Sequence, residues 1–244
     1  MALWYKAWRE SRVRFLIGAV TVAFFSIVAA RVNLETLPFR PLPTFPQYIW
    51  RAVYDGPPAF LFGVFAAILG LGGLRWERTT GSQAFTLALP ATRRRLMLVR
   101  SMMALGQVAA LSCIPLVTVP TVSRFYQDAP YPVHQAAMFA SLFLACGAAW
   151  CAAGILWSSL VSNEHAAAAA CVLTPFAGRA FNAVAGVHSH ADLFQVMNGV
   201  ATLQISPTTR FLHGPMPWVT LLLVTAVGTA LILSACRVVD QQDF

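Results

Sequence analysis

Six long apolar runs, separated by more polar segments, dominate the pattern of the chain. A helix needs about 20 predominantly apolar residues to cross the hydrocarbon core of a bilayer. With helical turns added at their ends the runs reach that length, and they lie at residues 15–30, 58–74, 96–119, 135–160, 166–187 and 217–236. The pattern therefore predicts an all-α membrane protein with six transmembrane helices in a single domain over residues 1–244.

The residues before the first run have the pattern of an amphipathic helix. At about 100° per residue, Trp4 and Trp8 fall on one face with Ala7, whereas Lys6 and Arg9 fall on the opposite side. Tryptophan rings and basic side chains both favour the interface between membrane and water. We interpret residues 1–14 as an interfacial helix lying flat on the membrane; the alternative is that they are the start of the first span.

Three segments between the runs have distinct compositions. Residues 31–57 are rich in proline and aromatic side chains, which favours an ordered or interfacial loop over a flexible linker. Residues 188–216 contain several apolar side chains and are interpreted as a segment that lies in, or dips into, the outer interface. The segment 162–165 is very short; Ser162 is expected to cap the next helix, and Glu164 in its first turn suits the helix dipole.

Basic residues are distributed unevenly among the polar segments. Charged residues are only 11% of the chain, whereas soluble proteins carry roughly 25%. Of the 17 basic residues, 11 lie in the N-terminal segment, the segment 75–100 and the C-terminal tail, and five lie in the other segments. Because basic residues collect on the cytoplasmic side, both termini are predicted to be cytoplasmic in a bacterial inner membrane. Anionic lipid accounts for the net charge of +8, so no nucleic-acid partner is expected.

Reactive side chains are not combined in the ways that enzymes use. None of the nine acidic residues lies near the middle of a run, where an ion-coupled carrier commonly holds a carboxylate. A P-loop needs a lysine after a glycine-rich turn, and the only lysine, Lys6, has no glycine before it. The five cysteines form no CxxC pair. We expect no catalytic residue, no metal and no bound cofactor, so that any ATP must be bound by another polypeptide.

Arg179 is the charged residue placed within a predicted span. Asn182 follows three residues later on the same helix face, and Pro175, one turn earlier, leaves backbone carbonyls free. One interpretation is that Arg179 and Asn182 line a translocation path and attract an anionic headgroup or substrate. The other is that Arg179 extends to the outer interface.

The segment 75–100, RWERTTGSQAFTLALPATRRRLMLVR, joins the second and third runs on the predicted cytoplasmic side. Residues 76–89 are predicted to form a short amphipathic helix that ends at Pro90. Three arginines at the interface follow, namely Arg93, Arg94 and Arg95. A membrane subunit driven by a soluble motor needs such a helix, close to the spans and accessible to a partner. The alternative is an ordinary basic loop.

This pattern resembles the cytoplasmic loop of ABC-2 type transporter permeases. The matching positions are Glu77, Arg78, Gly81, Ser82, Phe85, Leu87, Leu89, Pro90, Arg93, Arg94 and Arg95. The order of the predicted elements is also similar to that family. The Ser206–Pro207 pair, with residues 208–214, resembles the stretch before the last span of such permeases.

The resemblance implies a permease subunit that pairs with a second copy or a paralogue and binds two ATPase subunits, which would hold ATP and magnesium. A coupling helix within residues 75–95 would contact an ATPase, and a smaller contact would come from the segment 162–165. The implied coupling residues are Glu77, Arg78, Gly81, Ser82, Phe85, Leu89 and Glu164. The cargo would be a hydrophobic or amphipathic compound moved outward.

Two other functions remain open. The first is a membrane scaffold or sensor that transports nothing and uses the segment 75–100 to recruit a cytoplasmic partner. The second is an intramembrane enzyme acting on lipids, which is less favoured because the sequence contains no clustered acid–base set.

Overall fold

The computed structural model describes residues 2–32, 43–72, 93–127, 130–161, 163–185, 192–201, 204–206 and 209–241. Within these ranges the protein is mostly helical. The helices are α1 (Ala2–Arg31), α2 (Phe45–Ile49), a π-helical turn (Trp50–Tyr54), α3 (Pro57–Leu69), α4 (Arg93–Tyr126), α5 (Val133–Leu160), α6 (Glu164–Ala185), α7 (Leu193–Met197) and α8 (Trp218–Asp240). Two short strands, β1 (Gln204–Ile205) and β2 (Leu212–His213), pair antiparallel.

Five helical segments of the described ranges are long and apolar enough to cross a membrane. They are Leu3–Arg31, Phe45–Leu69, Arg94–Tyr126, Val133–Leu160 and Trp218–Asp240. They correspond to the first, second, third, fourth and sixth predicted spans. The predicted fifth span corresponds to α6, which lies close to the expected bounds but is not among the five. The chain therefore has the helices of a multi-pass membrane protein.

Helix α5 is at the centre of the bundle. It packs against α3, α4, α6, α7 and α8. Within its most apolar stretch of 18 residues, 67% is buried inside the chain. By contrast, α1 and α8 bury only 28% of theirs and expose large apolar side chains such as Val20 and Leu222. A water-facing helix would carry polar residues on that side, so the outer faces of α1 and α8 are suited to an apolar environment.

The predicted interfacial helix at 1–14 and the predicted span at 15–30 form one helix without a break. Helix α1 has 30 residues, which gives a length of about 45 Å against a hydrocarbon core of about 30 Å. Trp4 and Trp8 are 41% and 37% exposed on its first turns, and Ala7 faces the bundle. The separate interfacial helix predicted from the sequence is therefore not a distinct element.

The second membrane-length segment begins earlier than the sequence predicted. Its helical structure starts at Phe45, inside the segment interpreted as a loop, rather than at residue 58. Pro57 and Pro58 occupy the first positions of α3, where proline is tolerated because no N–H is needed there. Upstream of these prolines the chain is helical because the aromatic side chains Trp50 and Tyr54 are buried against the bundle.

Helices α3 and α5 cross with their backbones in close contact. A Cβ atom on Gly154 would overlap the carbonyl oxygen of Ala67, and one on Gly70 would overlap the carbonyl oxygen of Cys151. At Gly147 an added Cβ would lie 2.7 Å from the Phe62 ring. Small residues at these positions let the two helices approach without intervening side chains.

One end of the bundle is covered by α7 and the two strands. Phe194, Val196 and Met197 of α7 are buried, and α7 packs against α3 and α5. Asp192 caps this short helix by accepting a hydrogen bond from the Phe194 N–H at 2.9 Å. These three apolar residues of the segment predicted to lie in the interface therefore fold back onto the protein.

Several predicted site residues lie outside the described part of the chain. They are the coupling residues Glu77, Arg78, Gly81, Ser82, Phe85 and Leu89, together with the predicted cap Ser162. Arg93, Glu164 and Asn182 have described helical backbones but not described side chains. At the start of α6, Asn163 Oδ1 accepts a hydrogen bond from the His165 N–H at 3.0 Å, which caps the helix one residue after the predicted position.

Candidate functional site

Polar side chains gather where the π-helical turn, the start of α3, α7 and the strands meet, which we call the Trp50 end. The π-helical turn inserts an extra residue, so the Asp55 N–H donates to the Trp50 carbonyl at 2.9 Å. This turn directs Trp50, which is 9% exposed, toward the chain just after α7. It also leaves Asp55 between the turn and α3.

Asp55 connects three parts of the Trp50 end. Asn198 Nδ2 donates to Asp55 Oδ1 at 2.8 Å, and Trp50 Nε1 donates to the Asn198 carbonyl at 3.0 Å. Arg179 Nη2 donates to the Asp55 carbonyl at 3.2 Å. These bonds join the π-helical turn, α6 and the end of α7 into one polar cluster.

Arg179 reaches the Trp50 end from α6. Its guanidinium carbon lies 5.8 Å from the Phe60 ring centre and 5.5 Å from the Phe194 ring centre, within the range of a cation–π interaction. The side chain is exposed. Arg179 is therefore held beside aromatic rings at one end of the bundle rather than at its middle.

Gln135 forms hydrogen bonds with the backbone of the second strand, β2. Its Oε1 accepts from the Leu212 N–H at 3.0 Å, and its Nε2 donates to the Leu212 carbonyl at 3.1 Å. Leu212 and Gln135 are both buried, so these two bonds replace the partners that a longer sheet would supply. They fix the strands to the start of α5.

Tyr131 lies four residues before Gln135, just ahead of α5. Its ring centre is 5.9 Å from that of Phe211 and 6.2 Å from that of Tyr54. Its hydroxyl is buried and has no hydrogen-bond partner among the described residues. Burial raises the pKa of Tyr131 above its usual value, so the ring stays neutral.

A cavity of about 480 Å³ opens at the Trp50 end. Its described lining includes aromatic and charged side chains, and consists of Pro43, Gln47, Tyr48, Trp50, Arg51, Ala52, Asp55 and Arg210. The Arg210 guanidinium lies 5.0 Å from the Trp50 ring centre. Arg210 has φ of 57°, a left-handed backbone conformation, in a turn closed by its N–H donating to the Ser206 carbonyl at 2.9 Å.

A second polar cluster lies at the opposite end of the bundle, which we call the Arg100 end. Arg100 Nη2 donates to Glu10 Oε2 at 2.8 Å, with side chains 15% and 25% exposed. Gln107 Nε2 donates to Ser11 Oγ at 2.7 Å. Both contacts join α1 to α4, which run in the same direction.

The C-terminal end of α3 is tied to α1 at the same place. Arg14 Nη1 donates to the Leu71 carbonyl at 2.7 Å. A cavity of about 30 Å³ lies between Arg14, Glu10 and Arg100, which is large enough for about one water molecule. The Arg100 end thus holds α1, α3 and α4 together by charged side chains.

The structure describes the chain on both sides of residues 73–92, which contain most of the predicted coupling segment. The chain leaves α3 through Gly72, whose φ of 126° favours glycine, and enters α4 at Arg93. Arg94 and Arg95 are exposed, whereas Leu96 and Met97 are buried. The predicted segment therefore connects two helices at the Arg100 end, both of which are bonded to α1.

The sequence did not single out Asp55, Asn198, Gln135 or Glu10 as site residues. Asp55 and Asn198 are 143 positions apart, and Gln135 and Leu212 are 77 apart. One local signal was present for Gln135, a polar side chain at the start of an otherwise apolar run. No comparable signal marked the other three.

No protein-family model matches the chain, and no curated protein matches its sequence.

Proposed function

We propose that this chain is the membrane-spanning permease subunit of an ATP-driven exporter and that separate ATPase subunits power it. The five membrane-length helices of the described ranges suit a membrane subunit, and the sequence between Gly72 and Arg93 resembles the coupling loop of ABC-2 type permeases. The observation that carries the proposal is that the chain is bonded to α1 on both sides of this loop, at Leu71 before it and at Arg100 within the helix that follows.

This attachment provides a route for mechanical coupling. Arg14 holds the chain just before the loop through the Leu71 carbonyl, and Glu10 holds α4 through Arg100. An ATPase that moved the loop would pull on α1, α3 and α4 together, because charged contacts in a partly buried site resist separation. Without these contacts, movement of the loop would be absorbed by one helix.

The cargo in this proposal is a hydrophobic or amphipathic compound moved outward. The spans carry few charges, which suits an apolar molecule better than an ion. Two ATPase subunits and a second copy or paralogue of this chain complete the proposed assembly, with ATP and magnesium bound by the ATPases. Both termini and the coupling segment are cytoplasmic in this arrangement.

Co-purification with P-loop ATPases of the same genome tests the proposal. The variant Glu77→Ala/Phe85→Ala is compared with Glu35→Ala/Phe39→Ala, which removes the same side-chain types from the predicted external side. We expect the first variant to lose about tenfold or more of the bound ATPase, since a few contact residues dominate an interface. The second variant is expected to retain it. Equal ATPase binding by both variants would contradict the proposal.

A transport assay separates the exporter from a scaffold or sensor. Inside-out vesicles containing the chain and its ATPase are given a fluorescent amphiphile with ATP or with a non-hydrolysable analogue. An exporter accumulates the amphiphile only with ATP. A scaffold binds the ATPase in the same co-purification but shows no ATP-dependent accumulation.

A further inference from the structure

We infer that the 480 Å³ cavity at the Trp50 end is a binding site for an organic anion, whose phosphate or carboxylate oxygens contact Arg51 and Arg210. Its volume falls within the roughly 300–1,000 Å³ of typical small-molecule sites. The site is separate from the proposed ATPase contact, which lies at the opposite end of the bundle. Its described lining comes from this chain alone.

The charges of the lining favour an anion. Arg51 and Arg210 contribute two guanidinium groups, and Asp55 contributes the one carboxylate among the described lining residues. That carboxylate already accepts a hydrogen bond from Asn198 at 2.8 Å. Guanidinium groups present paired N–H donors that match the oxygens of phosphate and carboxylate.

The position of Arg210 is maintained by its surroundings. A left-handed backbone is uncommon for a residue with a Cβ atom, and it persists only where neighbouring contacts impose it. Here the turn closed on Ser206 imposes it, and the guanidinium lies over the Trp50 ring. The Trp50 indole is itself fixed by its bond to the Asn198 carbonyl. The cation is therefore positioned before any ligand binds.

The aromatic part of the lining favours an organic anion over a bare inorganic one. Tyr48 is half-buried and Trp50 is buried, and both line the cavity beside the arginines. A lone phosphate would leave most of the volume empty, whereas a group with an apolar portion would also cover these rings. Two sources fit this chemistry, an anionic lipid headgroup and a water-soluble organic anion.

Binding to the full-length protein in phosphatidylcholine nanodiscs tests the inference. The probe is short-chain phosphatidic acid, titrated against wild type, Arg51→Gln, Arg210→Gly and the control Arg124→Gln. Glycine adopts the backbone of position 210 without strain, so that variant removes the guanidinium while keeping the turn. Arg124 is an exposed arginine at the same end of the bundle but outside the described lining.

We expect Arg51→Gln and Arg210→Gly each to weaken binding about tenfold, because each variant removes one group that forms charge-assisted hydrogen bonds. Arg124→Gln should stay within about twofold of wild type, since a distant exposed charge is screened. Unchanged affinity in both site variants, or an equal loss in Arg124→Gln, overturns the inference.

A competition experiment distinguishes a lipid headgroup from a water-soluble organic anion as the bound ligand. Glycerol 3-phosphate is added at increasing concentration to protein loaded with short-chain phosphatidic acid. Displacement at millimolar concentration supports a site for water-soluble organic phosphates, and resistance to displacement supports a site for a lipid headgroup. Both results support binding of an anion, because each requires the arginine-dependent binding measured first.

Discussion

Gln135 forms hydrogen bonds with the buried backbone of β2, as a third strand would in a larger sheet. Its amide forms both hydrogen bonds to Leu212, which is only 2% exposed. An unpaired buried N–H or C=O costs about 1–3 kcal/mol. A single side chain therefore stabilises the segment that covers the Trp50 end.

Replacing Gln135 by leucine should lower the free energy of unfolding by about 2 kcal/mol, because the Leu212 N–H and carbonyl lose their partners without water to replace them. Thermal unfolding of the purified protein in one detergent measures the change. Tyr131→Phe is the matched control, since it removes a nearby buried hydroxyl that has no partner among the described residues. A loss in the control equal to that in Gln135→Leu would refute this account.

The ion pair between Glu10 and Arg100 is a second contact between individual residues whose contribution to stability can be measured. Glu10→Gln and Arg100→Gln should each cost about 1 kcal/mol, because both side chains are mostly shielded from water and joined at 2.8 Å. A double-mutant cycle on thermal stability should give a coupling energy of about 1 kcal/mol. Lys6→Gln is the control: Lys6 lies 3.8 Å from Glu10, and its loss should cost less than about 0.5 kcal/mol. No measurable coupling would argue against this contact as the tie between α1 and α4.

At the scale of elements, the contact between α3 and α5 depends on the absence of side chains. Gly70 and Gly154 face the backbone of the opposite helix, where a carbonyl oxygen occupies the space that a Cβ atom would need. Backbone atoms cannot move aside as a flexible side chain can, so a methyl group there would force the helices apart. Because α5 packs against most of the other helices, a shift at this crossing affects the whole bundle.

Gly154→Ala should therefore destabilise the protein by at least about 2 kcal/mol, the usual cost of overpacking a well-filled contact. Gly106→Ala in α4 is the matched control, because nothing lies within 4 Å of the added Cβ. Alanine favours a helix over glycine by about 1 kcal/mol, so the control should be neutral or slightly stabilised. The test is the midpoint of thermal unfolding, and a Gly154→Ala protein as stable as Gly106→Ala would exclude the close crossing.

At the scale of the whole molecule, the two polar clusters lie at opposite ends of one helical bundle. Arg14 and Arg100 are at the Arg100 end, whereas Arg51, Arg179 and Arg210 are at the Trp50 end. The distribution of basic residues along the sequence predicted the same division of these arginines between two sides of a membrane, except for Arg179. Arg179 was assigned to neither side because it lies within a predicted span. The helices run between these ends, so the ends would face opposite sides of a membrane.

Cysteine labelling tests this division. In a Cys113→Ser background, which removes the exposed native thiol among described residues, Val200→Cys at the Trp50 end should react with a membrane-impermeant maleimide in intact cells. Ser82→Cys should react only after the membrane is permeabilised, since basic segments stay cytoplasmic. The reverse labelling pattern would contradict the predicted orientation and, with it, access of an ATPase to the coupling segment.

Local sequence was sufficient to predict the long helices but not the short ones α2 and α7, and it was less reliable at the helix ends. The runs that became α4, α5 and α8 were located within a few residues of their N-termini, because a continuous apolar stretch has no other stable arrangement in a membrane. The start of the second span was placed 13 residues late, since helical structure there begins among proline and aromatic residues that resemble a loop in isolation. The join between 1–14 and 15–30 was only the alternative interpretation, because the sequence pattern does not show that a polar helix and an apolar helix share one axis.

The sequence alone determined that the chain forms long apolar helices and divided most of its basic residues into two sets, because hydrophobicity and charge are properties of each segment by itself. Only the tertiary structure decided that α7 folds back onto α3 and α5 and that Asn198 meets Asp55. It also decided that Arg210 lies over Trp50 to form one wall of a cavity. Such contacts join residues far apart in the chain, and they follow from how the helices pack rather than from any pattern within one helix.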